Sequence, residues 1–198
     1  MQQLKKYFLF LLLSLPITAA QSQSFYLPVP DKWTNESFPF PIEFAPQINY
    51  SGEEHLRFSP FWGDTKNEEL WSYCFLWWIK TDSMISQESL EKDLQAYYSG
   101  LVGRNIIRRK IDSALVVPTL TQFKEVAAEK GDLKTFAGTV KMLDYMSLRP
   151  LTLQVSVHVI MCANEGKTAV FFAVSPQPRT HLVWQKFKMV HEGFRCTK

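Results

Sequence analysis

Leu70-Trp71-Ser72-Tyr73-Cys74-Phe75-Leu76-Trp77-Trp78-Ile79 carries no charge and five aromatic rings in ten residues. Ten residues suit a strand better than a core helix, and alternation on a pleat sends successive side chains to opposite faces. One face would then hold Trp71, Tyr73, Phe75, Trp77 and Ile79, and the other Leu70, Ser72, Cys74, Leu76 and Trp78. Both sets are largely apolar. A strand wet on one side alternates apolar with polar, so this one is expected in the interior of a sheet covered on both faces.

The segments downstream supply that sheet and its cover. Ser86 is an N-cap residue with Glu88 in the first turn, and Leu90, Leu94, Tyr97 and Leu101 recur at helical spacing. Gly100 and Gly103 are expected to weaken this helix, with a second short one over 104–112. Beyond Pro118 the pattern turns to β, with strands expected at 120–127, 133–143, 151–162 and 167–175. In the third, Leu151, Leu153, Val155, Val157, Val159 and Met161 alternate with Thr152, Gln154, Ser156, His158, Ile160 and Cys162. Asn164-Glu165-Gly166 is hairpin chemistry joining the last two strands in antiparallel fashion. A final helix is expected over 180–191, with Val183, Phe187 and Val190 on one stripe and Gly193 as its stop.

This order predicts an α+β domain, with an antiparallel sheet of about five to six strands flanked by two or three helices. The closing run from Val170 to Ser175-Pro176, with Trp184, Phe187 and Phe194, resembles the PsbP-like sandwich fold in element order. That fold hosts non-catalytic proteins of several roles, so the resemblance implies a fold and transfers no function. A cystatin-like or other curved sheet fits the same order.

At the start of the chain, Lys5 and Lys6, the apolar stretch from Tyr7 to Leu15, and Thr18-Ala19-Ala20 have the form of a signal peptide over residues 1–20. A membrane span needs about 20 apolar residues, so no transmembrane segment is expected after its removal. A secreted or periplasmic protein follows. Loss of Lys5 and Lys6 would lower the formal charge of +3 to +1, which gives no electrostatic reason to expect nucleic acid as a partner. Residues 21–50 hold Pro28, Pro30, Pro39, Pro41 and Pro46 among seven aromatic side chains, and are expected to form an extended arm packed on a single domain spanning 51–198.

Three cysteines in an exported chain permit one disulfide, and Cys162–Cys196 is the favoured pair because Cys74 lies in the apolar strand. No nucleophile motif, P-loop or dinucleotide fingerprint is present. Glu53-Glu54 and Glu68-Glu69 read as solvated acids. Arg104, Arg108, Arg109 and Lys110 read as the wet face of a helix. Among His55, His158, His181 and His191 no local spacing is that of a metal pair, since His181 and His191 would stand about 15 Å apart on a helix. No metal and no cofactor are therefore expected. Gln154, Ser156 and His158 share one strand face and form the candidate ligand-binding patch, and His158 has only neutral neighbours along its strand. The expected function is a non-catalytic exported module that binds a partner protein or a small molecule. The alternative is a secreted hydrolase with a dispersed site around His158.

Overall fold

The computed structural model describes residues 25–196. The expected signal peptide lies outside the described residues. The elements in order are β1 (Phe25–Tyr26), β2 (Thr34–Pro39), β3 (Ser51–Phe58), β4 (Tyr73–Lys80), α1 (Gln87–Arg109), β5 (Leu120–Val126), β6 (Lys134–Asp144), β7 (Arg149–Cys162), β8 (Lys167–Ser175), α2 (Val183–Gly193) and β9 (Arg195–Cys196). Seven strands form one antiparallel sheet in the order β2-β3-β4-β8-β7-β6-β5, and β1 pairs with β9 in a small separate ribbon. After β4 the chain crosses one face as α1, starts again at the far edge with β5, and meanders back until β8 closes against β4.

The α+β class and the antiparallel sheet are as expected, but the sheet is larger than five or six strands. The difference is β2 and β3. The Pro-rich arm supplies the edge strand β2, with Pro39 at its last position where a missing N–H costs no ladder bond. Residues 51–58, with two acids and an arginine, lack an alternating apolar signature, yet they pair along their whole length with β4.

The β4 side chains divide as the alternation predicts. Tyr73, Phe75, Trp77 and Ile79 join a core beneath α1, together with Ile42, Ala45 and Ile48 of the arm. Cys74, Leu76 and Trp78 join a second core beneath α2, together with Phe25, Leu27 and Trp33. The arm thus crosses from one face to the other around the β2 edge and helps to cover both. Of its seven aromatic side chains, Tyr26 and Phe38 remain exposed.

The two-helix expectation for 87–112 is corrected: α1 is continuous through Gly100 and Gly103. Ser86 caps it, its Oγ accepting from Ser89 N–H at 3.1 Å while Ser89 Oγ accepts from Ser86 N–H at 2.9 Å. The two glycines have different reasons. A Cβ on Gly100 would fall 1.8 Å from the carbonyl oxygen of Phe44, so this glycine is where the arm backbone touches the helix. A Cβ on Gly103 would meet nothing within 4 Å.

The two positions should therefore respond with opposite sign. Gly103→Ala gains helix propensity and should stabilise the protein by about 0.5–1 kcal/mol. Gly100→Ala forces the arm off the helix and should destabilise it by about 2 kcal/mol. Denaturant midpoints of the two variants that move in the same direction would contradict this assignment.

Candidate functional site

The patch expected around His158 is not on an outer face. β7 carries Ser156 and His158 toward α2, and His158 is buried. The turn before β6 brings Asp132 beneath it, with Gly131 adopting the positive φ of 96° that the turn requires. Asp132 Oδ2 lies 2.8 Å from His158 Nδ1, and Oδ1 lies 2.9 Å from His191 Nε2 of α2. Thr135 Oγ1 donates to Asp132 Oδ2 at 2.6 Å and accepts from Glu129 N–H at 3.1 Å. Burial alone would raise the Asp132 pKa, but the hydrogen bonds from His158, His191 and Thr135 outweigh it and hold the carboxyl well below the usual range. The imidazole centroids of His158 and His191 are 3.9 Å apart. Around them Glu129, Arg179, Trp184 and Lys188 line a cleft of about 160 Å³.

Two expectations are revised here. His158 does have a carboxylate partner, supplied from 26 residues away, and His158 and His191 do meet although no local spacing pairs them. Ser156 joins the cleft, with Oγ 3.1 Å from His158 Nε2. Gln154 does not line it. Nothing in the sequence marks Asp132, whose role depends on a turn and two long-range packings.

The order Ser156–His158–Asp132 is that of a hydrolytic triad. Acyl transfer also needs preorganised donors for the oxyanion, commonly free backbone N–H groups. Ser156 instead lies inside β7, paired with Ala137 on one side and Ala173 on the other, so the amides around it belong to the ladder.

A second concave site lies on the α1 side of the sheet, bordered by Pro39–Phe44 of the arm, β3 and α1. It holds about 530 Å³. Phe44, Phe58, Trp62, Trp71, Tyr97 and Tyr145 give it an aromatic lining. Arg104, Arg108 and Arg109 line it from α1, and Glu36 and Glu43 from β2 and the arm. None of the three arginines has an acid partner among the described residues. Arg104 lies 4.6 Å over Phe44 and Arg109 5.1 Å over Tyr145, so cation–π contacts orient both.

Glu54 also lines this cavity and corrects the reading of Glu53-Glu54 as solvated. Alternation along β3 turns Glu54, Leu56 and Phe58 inward while Glu53 stays outside. Trp77 Nε1–H donates to Glu54 Oε1 at 3.0 Å. Desolvation pushes the Glu54 carboxyl up to about 7, assisted by Glu36 and opposed by hydrogen bonds from Trp77 and Tyr97. Glu69 of the second acidic pair is buried as well, accepting from Lys186 Nζ at 2.7 Å.

Cys162 and Cys196 are at disulfide distance, with Cα atoms 5.8 Å apart, and Cys74 is free and buried. Burial pushes the Cys74 thiol far above its ordinary range, which removes it as a nucleophile. No protein-family model matches the chain, and comparison with curated proteins and with solved structures returns no match either.

A carboxylate only accepts hydrogen bonds, so Asp132 selects opposite tautomers for its two partners. His158 should carry its proton on Nδ1 and His191 on Nε2 at mildly alkaline pH. Long-range ¹H–¹⁵N correlation spectra report this directly, and the reverse tautomer at either ring would refute the arrangement. Glu54 yields a pH dependence. Its pKa is raised from 4.5 to about 7 in the folded state, so its contribution is complete below about 4.5 and is lost as pH rises toward about 7. The loss is about 3 kcal/mol at roughly 1.4 kcal/mol per pKa unit. Glu54→Gln should flatten this part of the stability profile and be more stable than wild type at pH of about 8. Equal slopes for both proteins in urea titrations between those pH values would contradict it.

Proposed function

We propose that the protein is an exported, non-catalytic module that binds a small amphipathic molecule with an anionic group in the cavity between the arm, β3 and α1. The observation that carries this reading is the pairing of an aromatic interior with arginines that lack acid partners on its α1 side. Ligand sites are typically concave, mainly apolar and furnished with a few oriented polar groups, and a volume of about 530 Å³ is in the usual range for a small ligand. The rings favour an aromatic or alkyl body. The arginines favour a carboxylate, sulfonate or phosphate at the mouth on the α1 side, away from Glu36 and Glu43. Below neutral pH, Glu54 is in large part protonated and offers a hydrogen-bond donor at the floor.

Export is supported by the form of residues 1–20 and by the Cys162–Cys196 pair, which suits an oxidising compartment. No helix among the described residues is long and apolar enough to cross a membrane.

The test uses 1-anilinonaphthalene-8-sulfonate, an aromatic anion whose fluorescence rises in an apolar site. It should bind the folded protein with one site per chain and be displaced by aromatic or long-chain monocarboxylates. Arg108→Glu should weaken it about tenfold, a change of about 1.4 kcal/mol. Leu101→Trp, which places a ring in the cavity, should weaken it further without lowering the melting temperature. A cationic or neutral analogue that competes as well as the anion, or binding unaffected by Leu101→Trp, would overturn the proposal.

A further inference from the structure

On the opposite face of the sheet, Asp132 does more than stabilise two buried rings. With both imidazole N–H groups turned toward its two oxygens, the remaining ring nitrogens, His158 Nε2 and His191 Nδ1, present lone pairs to the cleft. His191 Nδ1 is buried and has no hydrogen-bond partner, which is a costly state for a polar atom unless something else satisfies it. Glu129 Oε2 lies 3.8 Å away. One ring nitrogen each of His158 and His191 and a Glu129 carboxylate oxygen lie within 4.8 Å of one another.

We propose that His158, His191 and Glu129 form a site for one zinc ion, with Asp132 as the positioning residue for both imidazoles. The donor set is two neutral imidazoles and one carboxylate, which suits a borderline ion of this kind. Zinc–ligand distances of about 2.0–2.2 Å place tetrahedral ligand atoms about 3.4 Å apart. The three atoms therefore need to close by little more than an ångström. Glu129, the half-exposed member, has the freedom to do so. Asp132 supplies the carboxylate–histidine–metal arrangement twice from one residue, which fixes ring orientation and raises ligand basicity. The Ser156 hydroxyl, which shares the His158 Nε2 lone pair, must rotate away as the ion enters.

Three protein ligands leave a fourth position, which opens toward the cleft lined by Arg179 and Lys188. Arg179 lies 3.8 Å over the Trp184 ring. Two cations on the rim favour an anion at that position, hydroxide or a small carboxylate or phosphate, over a further protein carboxylate. This site is separate from the aromatic cavity and does not depend on its ligand.

The experiment is zinc titration of the untagged protein after chelator treatment, read by competition with a chromophoric zinc indicator and by the melting temperature. Wild type should bind one Zn²⁺ per chain and melt higher with it. His191→Gln should lower affinity at least a hundredfold. Glu129→Gln, at a half-exposed position whose loss threatens no packing, should lower it at least tenfold, and Asp132→Asn by 10- to 100-fold with every ligand retained. In the Co²⁺ form the visible bands should be those of a four- or five-coordinate ion and should change in Glu129→Gln. Absence of saturable zinc binding, or one-to-one binding that Glu129→Gln and His191→Gln leave unchanged, would overturn the proposal.

Discussion

A strand that is apolar on both faces must be covered twice, and most of this fold follows from how the chain covers β4. One layer cannot do it, because the side chains of Tyr73, Phe75 and Trp77 point away from those of Leu76 and Trp78. Helix α1 lies over the first set and α2 over the second. The N-terminal arm is too rich in proline to form a helix of its own, and it wraps the β2 edge to finish both layers. Three layers bring two cores, and each core has a concave site at its margin.

The polar groups inside these layers are held by different means. Asp132 remains ionised because three donors converge on its two oxygens. Glu54 has Trp77 and Tyr97 beside it and is pushed toward its neutral form instead. Arg57, on the α2 side of β3, is buried with backbone carbonyls as its acceptors: Leu27, Pro28 and Leu56. Its burial ties the start of the arm to the second strand of the sheet. Asp132 and Glu54 differ both in their donors and in how strongly desolvation acts on them, and the balance of the two sets the direction in which each carboxyl is shifted.

Much of the fold was legible in the sequence. The faces of β4, the cap at Ser86, the four strands after Pro118 and the α2 stripe all rest on local periodicity, which one segment carries alone. The losses have a common cause. β3 is polar at His55 and Arg57 because these side chains are answered from outside the segment, by Ser37 and by the Leu27 carbonyl. Gly100 read only as a weak point of the helix because the Phe44 carbonyl that needs the space is 56 residues earlier. His158 was visible as an unusual residue on a good strand, but its meaning lies in Asp132 and His191, which reach it from a turn and from another layer. A reading confined to one segment can find such a residue and still miss the cluster.

The covalent link between Cys162 and Cys196 has a consequence for how the domain bears force. Phe25 and Cys196 are opposite one another in the β1–β9 ribbon, so tension applied at these two ends loads that ribbon in a peeling geometry, one residue pair at a time. Once the ribbon parts, the load reaching Cys196 passes through the sulfur bridge to the end of β7 and bypasses α2 and β8, which lie inside the covalent loop. The two histidines should therefore stay together under a pull that strips away the arm, and should separate readily only when that bridge has first been reduced.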